Sequence, residues 1–369
     1  MSNWSISLTT FNCGKDFPHG EDEQIESIIR RITPKDDALD IYAVGFQEFV
    51  SIWEGSFPDL VAIKLVSFAQ LMRKILNEKF TSRHYSLSGY HSLGATGLLI
   101  ISDDSLKKGT LSYSSCRRGM VGSSLKGGAT ISFQCQKQGG EPETFTFLCC
   151  HLAANGGEKY KLLRNDDYNG IISALDVELR LTNFKYGHIF VLGDLNFRLQ
   201  NLINSNIDFN NIETIRTLMK NNEELTLLRN EGKIFEGFRE ATIDFPPTYK
   251  YHLQTYNDYN LKRIPSWCDR ILYKDYDEDV TKIIKYTSIE RFPELQFTDH
   301  QPVNLTIEIP LSAPMVNLAT IKTIPTPQLP IIGDTSDLVI GYTGYFMTLC
   351  WYYKMLLPIF LYILYYLYR

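Results

Sequence analysis

The chain repeatedly runs apolar for a few residues and then stops on polar, hydrogen-bonding side chains. Residues 6–10 lead into Phe11-Asn12, 40–46 into Gln47-Glu48, 145–150 into His151, and 188–192 into Gly193-Asp194 and Asn196, while Asp299-His300 stand just ahead of 303–309. Runs this short, separated by stretches of helical periodicity, read as buried strands. The spacing of Ile25, Ile28, Ile29 and Ile32 predicts a helix over 21–32, with further helices within 58–80 and 158–182. Strands are also predicted at 97–102, 128–134 and 270–273, and polar helical or irregular structure between 204 and 230. The result is a mixed α/β domain. Strand ends in such a domain aim side chains from distant positions into one cleft.

Composition narrows the class of function. A formal net charge of -5 argues against broad, sequence-independent nucleic-acid binding, which needs a net basic face. Seven cysteines, odd in number and without paired C-x-x-C spacing, read as reduced thiols rather than a zinc site or a disulfide framework. Residues 1–10 lack a basic stretch followed by an apolar run, so a cytosolic N-terminus is expected. There is no P-loop or Rossmann glycine fingerprint.

Beyond residue 310 the texture changes. Five prolines spread through 310–337 mark a linker (311–337), and 338–369 is almost wholly apolar and aromatic apart from Lys354 and Pro358. Residues 349–368 have about the length of a membrane-spanning helix, and the many tyrosines around them suit an interfacial belt. These features predict a C-terminal tail anchor on a flexible tether, with residues 1–310 as an independent domain.

Three segments carry chemistry. In 190–198, Asp194 and Asn196 stand two apart, on one face of an extended backbone. Segment 263–272 crowds Trp267, Asp269, Arg263 and Arg270 around Pro265, and 297–303 offers the Asp299-His300 pair. Together they resemble the inositol polyphosphate 5-phosphatase family, whose signature blocks look like G-D-x-N-x-R and P-x-W-C-D-R-x-L. The resemblance extends over about residues 5–309 through Phe11-Asn12-Cys13-Gly14, Gly45-Phe46-Gln47-Glu48, Lys126-Gly127-Gly128-Ala129, His151-Leu152-Ala153-Ala154, Arg164-Asn165-Asp166-Asp167-Tyr168 and Pro247-Thr248-Tyr249-Lys250. It is similar in particular to fungal, tail-anchored members. Where the family often has Trp-Asn-Val-Asn-Gly and Asn-Lys-Gly, this chain has Phe11 to Gly14 and Leu125-Lys126-Gly127.

The resemblance implies two packed mixed β-sheets flanked by helices, the sandwich of the wider endonuclease/exonuclease/phosphatase superfamily. It implies Mg²⁺ held by Glu48 and Asn12, Asp194 as the base that activates water, and Asn196 donating to the phosphoryl group. His151 and His300 would stabilise the developing charge, with Asp269 or Asp299 orienting His300. Tyr249, Lys250 and Arg270, with Lys262 or Arg263, would read a 4-phosphate. Lys126, Arg164 and Asn165 complete the expected substrate contacts, and Arg117 and Arg118 the rim. The implied reaction removes the 5-phosphate of phosphatidylinositol 4,5-bisphosphate. Its expected setting is a monomeric cytosolic catalytic domain, with no nucleic-acid partner, anchored to the endoplasmic reticulum membrane by the C-terminal helix. Two competing readings are a phosphodiesterase of the same superfamily, which would not need Tyr249-Lys250, and a membrane-tethered phosphoinositide-binding scaffold without catalysis.

Overall fold

The computed structural model of the chain describes residues 3–34, 37–179, 184–200, 207–276, 279–313, 329–352 and 356–367. The first apolar run forms β1 (Asn3–Asn12), followed by α1 (Asp22–Ile32), whose four isoleucines are buried, and β2 (Ile41–Gln47). A capping box between Ser51 and Glu54 starts the short α2 (Ile52–Gly55), and Pro58 in its first turn starts α3 (Pro58–Lys79). Then come β3 (Tyr85–Leu93), β4 (Thr96–Asp103), β5 (Lys107–Lys108), β6 (Ser112–Arg117), β7 (Gly127–Gln136) and β8 (Glu143–His151). Helix α4 (Glu158–Glu178) leads to β9 (His188–Asp194), α5 (Ile212–Asn221), α6 (Glu224–Asn230), β10 (Phe238–Arg239) and β11 (Asp269–Lys274). The last described elements are β12 (Lys282–Ser288), β13 (Val303–Pro310), α7 (Pro330–Tyr352) and α8 (Leu356–Leu367).

Two mixed sheets result, ordered β12-β13-β1-β2-β4-β3 and β10-β11-β9-β8-β7-β5, with β6 also on β7. Each contains one parallel pair, β1 with β2 and β8 with β9, joined by the helical crossovers α1 and α4. Between the sheets lie Ile6, Leu8 and Ile100 from one and Phe147, Phe190 and Leu192 from the other. Helices α1 and α3 cover the outer face of the first sheet, and α4 and α6 that of the second. Central strands are therefore apolar on both faces, which is why they read as continuous runs rather than alternations. The half-exposed β3 and the edge strand β12 lack such runs, and for that reason were not anticipated.

Register decides where the chemistry falls. At the end of one parallel pair Asn12 lies opposite Gln47, and at the end of the other His151 lies opposite Asp194, which also faces Asp269 across β11. Gly193 makes this approach possible: its φ is 156°, and a Cβ there would stand 2.0 Å from the Cys150 carbonyl oxygen. No other residue lets β9 close on β8 beside Asp194.

The tail departs from expectation. Helix α7 starts at Pro330, inside the stretch read as linker, and its Gly333, Asp337 and Gly341 are buried against the sandwich. Of the expected span 349–368, residues 349–352 belong to α7 and 356–367 to α8, and 353–355 lie outside the described residues. Asp334 and Asp337 make the first half of α7 unfit for lipid. Among the described residues no helix is long and apolar enough to cross a membrane. Residues 314–328 of the expected linker, and Tyr353, Lys354 and Tyr368 of the expected anchor, lie outside the described residues.

Candidate active site

The convergent strand ends build a buried polar cluster centred on Asp194. Its Oδ2 accepts from Asn12 Nδ2 at 2.8 Å and its Oδ1 from the Asn196 backbone N–H at 3.0 Å. Asn196 adopts a left-handed φ of 58°, which an Asn tolerates, and its Nδ2 donates to the Leu152 carbonyl at 3.1 Å. Burial alone would raise the Asp194 pKa. The hydrogen bond with His151 and the charges of His300 and Lys126 outweigh it and hold the carboxyl well below the usual range.

Two histidines flank Asp194 in opposite protonation states. His300 Nδ1 lies 2.9 Å from Asp269 Oδ2, and that oxygen also accepts from Thr248 Oγ1 at 2.6 Å. Burial disfavours the imidazolium, but the charge and hydrogen bond of Asp269, with Asp194 and Asp299 beyond, raise His300 to about 9. Asp269 is thus the orienting carboxylate. Asp299 lies 3.9 Å from Nε2 and is instead paired with Lys250 Nζ at 2.6 Å. His151 is driven the other way, by burial and by the Lys126 ammonium that touches its Nε2, so it is neutral at neutral pH. Burial lowers Lys126 itself to about 8, against the pull of Asp194 and Glu48.

Glu48 stands just past β2 with a left-handed φ of 48°, its carboxylate 3.3 Å from Lys15 Nζ and 3.9 Å from His151 Nε2. The hard oxygens on this side are the Glu48 carboxylate, the Asn12 Oδ1, now accepting from Gly14 N–H at 3.0 Å, and Asp194. Among the described residues no three His, Cys, Asp or Glu are grouped to hold a metal ion. Such a donor set fits Mg²⁺, which keeps several waters and takes only one or two carboxylates.

Of the expected 4-phosphate readers, Tyr249 packs against His300 with ring centroids 4.5 Å apart and the planes tilted by 38°, and Arg263 lines a cavity of about 190 Å³ with Asn155, Gly156 and Arg198. Lys262 is exposed and does not line it. Arg198 was not anticipated. Its guanidinium lies over the Tyr249 ring at 4.4 Å, and its Nε and Nη1 are buried without a hydrogen-bond partner among the described residues, leaving the N–H bonds of two nitrogens for an anion. Its signal is its place at the end of the Gly193-Asp194-x-Asn196-x-Arg198 block rather than strand alternation, since β9 ends at Asp194 and Asn196 is left-handed.

Other expected contacts are structural. Arg270 is fully buried, held by Glu240 at 2.7 and 2.6 Å and by Glu223 at 3.0 Å, and so cannot read a phosphate. Arg164 is fully buried too; it bonds Glu224 at 2.5 Å and the Ala153 and Asn155 carbonyls, fixing the loop after β8 rather than touching substrate. Asn165 is half-buried beside it, with Oδ1 unpartnered among the described residues. Arg118 pairs with Asp166 and Asp167, and Arg117 with Asp334 and Asp337, so neither is a free rim cation. Arg270→Leu should therefore lower stability by about 3–5 kcal/mol, because it strands two buried carboxylates. Urea titration reads this. A folded variant of normal stability with altered substrate preference would mean that Arg270 does face the ligand.

A sandwich of two mixed sheets with an acidic, histidine-flanked cluster where the strands end defines a class, and the chain belongs to it: it matches Endonuclease/Exonuclease/phosphatase family 2 over residues 9–306. Its curated relatives are inositol polyphosphate 5-phosphatases. Human synaptojanin-2 is 26% identical over 73% of this chain and 19% of that protein. Human phosphatidylinositol 3,4,5-trisphosphate 5-phosphatase 2 is 32% identical over 47% of this chain and 14% of that protein. Type IV inositol polyphosphate 5-phosphatase 9 of Arabidopsis thaliana is 28% identical over 82% and 77%. The chain thus spans about a fifth or less of the first two. Among solved structures, the 5-phosphatase domain of a synaptojanin, in complex with inositol (1,4)-bisphosphate and calcium ion, superposes with a TM-score of 0.64 at 23% identity, covering 84% of each chain. Cimex nitrophorin does so at 0.58 and 21%, covering 84% of this chain and all of that one. One fold serves both, so function must be argued from side chains.

Proposed function

We propose that the protein is a Mg²⁺-dependent phosphomonoesterase that removes the 5-phosphate of phosphatidylinositol 4,5-bisphosphate to leave phosphatidylinositol 4-phosphate. The observation that carries this reading is the pairing of an ionised Asp194, held by Asn12 and Asn196, with a protonated His300 backed by Asp269. An acceptor for the proton of water thus faces a donor for the phosphoryl oxygens. The names of the curated relatives support it.

Glu48 and Asn12 would hold the Mg²⁺, which when bound neutralises phosphoryl and leaving-group oxygens. Asp194 orients the attacking water and takes its proton. A carboxylate this acidic is a weak base at rest, so the proton moves only as bond formation to phosphorus makes it acidic. The imidazolium of His300 offers Nε2–H to a non-bridging oxygen, and Asn196 has a second amide proton for another. Lys126 adds positive charge beside His151.

Arg198 and Arg263 line one side of the cleft, with the Tyr249 ring under Arg198 and Lys250 paired with Asp299 nearby, and we assign these four to the neighbouring 4-phosphate. This feature favours a 5-phosphatase over a phosphodiesterase of the same fold. Lys250→Ala and Arg263→Ala should each lower kcat/KM about ten- to a hundredfold for phosphatidylinositol 4,5-bisphosphate, and far less for a 5-phosphorylated lipid lacking the 4-phosphate. Equal losses on both would remove the assignment. Membrane attachment belongs to the same proposal. Exposed Tyr342, Phe346, Met347 and Trp351 on α7, with the exposed Leu361 to Leu367 of α8, supply an apolar surface for a bilayer whose lipid the site would reach from the cytosolic side.

A further inference from the structure

Helix α7 is more than a tether. Gly333, Asp337, Gly341 and Gly344 recur at helical spacing and form one stripe. A Cβ at Gly341 would lie 2.8 Å from Ser56 Cβ, one at Gly344 2.7 Å from Trp53 Cβ, and one at Gly333 2.7 Å from the Gly122 carbonyl oxygen. The helix therefore seats backbone-close on α2 and on the turn between β6 and β7.

That turn is clamped by α7 through five hydrogen bonds. Asp337 Oδ1 accepts from the Ser124 N–H at 2.8 Å and from Ser124 Oγ at 2.9 Å. Its Oδ2 accepts from Arg117 Nε at 3.1 Å, and Arg117 Nη2 donates to Asp334 at 2.6 Å. Ser336 Oγ donates to the Val121 carbonyl at 2.9 Å. The turn needs outside partners: Val121, a β-branched residue, sits at φ 54°, a conformation costing of order 1–3 kcal/mol. At its far end the turn delivers Lys126, whose carbonyl accepts from Arg118 N–H at 2.8 Å and whose ammonium touches His151.

Resting on the reading of the site given above, we propose that Asp337 is a positioning residue for the reaction: through Ser124 and Arg117 it fixes the β6–β7 turn and with it Lys126 against His151. The first half of α7 then belongs to the catalytic unit, contrary to the free tether expected from the prolines, and it fixes the cleft relative to the apolar surface that follows.

The test uses the full chain in detergent micelles, with inositol 1,4,5-trisphosphate as soluble substrate, so that membrane attachment plays no part. Asp337→Asn should lower kcat about ten- to a hundredfold with little change in KM or in unfolding temperature. Combined with Lys126→Met it should lower kcat no further than Lys126→Met alone, because both act through one ammonium. Gly341→Leu, which wedges α7 from the distant α2 end, should show the same loss and the same non-additivity. Amide hydrogen exchange at residues 119–126 should quicken in both variants. Fully multiplicative effects in the double variant, or a wild-type rate in Asp337→Asn, would overturn the proposal. A wild-type chain that releases no phosphate would overturn the functional reading instead, and the exchange measurement then decides the brace: unchanged exchange in both variants would refute it.

Discussion

Asp194→Asn lowers the rate of phosphate release by at least about 10³-fold while the chain folds and binds substrate as before. The substitution keeps the shape, and the Asn196 N–H still finds an amide oxygen. It removes the charge that attracts the protons of water and balances His300 and Lys126. Single-turnover kinetics with saturating substrate, beside circular dichroism and equilibrium binding, separate the outcomes. A variant with a tenth or more of the wild-type rate would transfer the role of base to another group, and Glu48 would be the first to examine.

The second large effect concerns His300. Its ordinary value is near 6.5, and Asp269 raises it to about 9 in the fold, so the imidazolium is present throughout the neutral range and is lost as pH rises through about 9. The sign for stability is the same: the His300–Asp269 pairing contributes fully below about pH 6.5 and fades toward pH 9. Activity should fall on that alkaline side. Lys126, lowered to about 8, titrates in the same region, so the profile alone does not assign the limb. Asp269→Asn assigns it. Removing the carboxylate should cut kcat about 10²- to 10³-fold and move the alkaline limb toward neutrality, since His300 loses its main stabilising charge. An unmoved limb would mean that His300 does not supply the essential proton.

Much of this was legible because buried strands leave a strong signature. The runs ending at Asn12, Gln47, His151 and Asp194 are strands in the structure, and their polar ends meet because parallel pairing sets them level. The errors have equally local causes. Asp269 and Arg270 are consecutive on β11 and must point to opposite faces, so a site containing one excludes the other. A family motif that spells both together hides this, whereas alternation would have shown it. The partners of Arg270, Glu223 and Glu240, lie far away in sequence, as does Glu224 from Arg164, and no local pattern announces such pairs. In the tail, prolines suggested a loose linker, yet the small residues and Asp337 of α7 answer a surface formed 200 residues earlier. Only the folded sandwich reveals that complementarity.

The most direct measurement of the reaction is phosphate release by the full chain from a panel of phosphoinositides and inositol phosphates, with Mg²⁺ and after EDTA. Release of the 5-phosphate alone is expected, fastest from substrates that also carry the 4-phosphate, abolished by EDTA and restored by Mg²⁺. Release from other ring positions, persistence in EDTA, or cleavage of a phosphodiester with no monoester hydrolysis would contradict it.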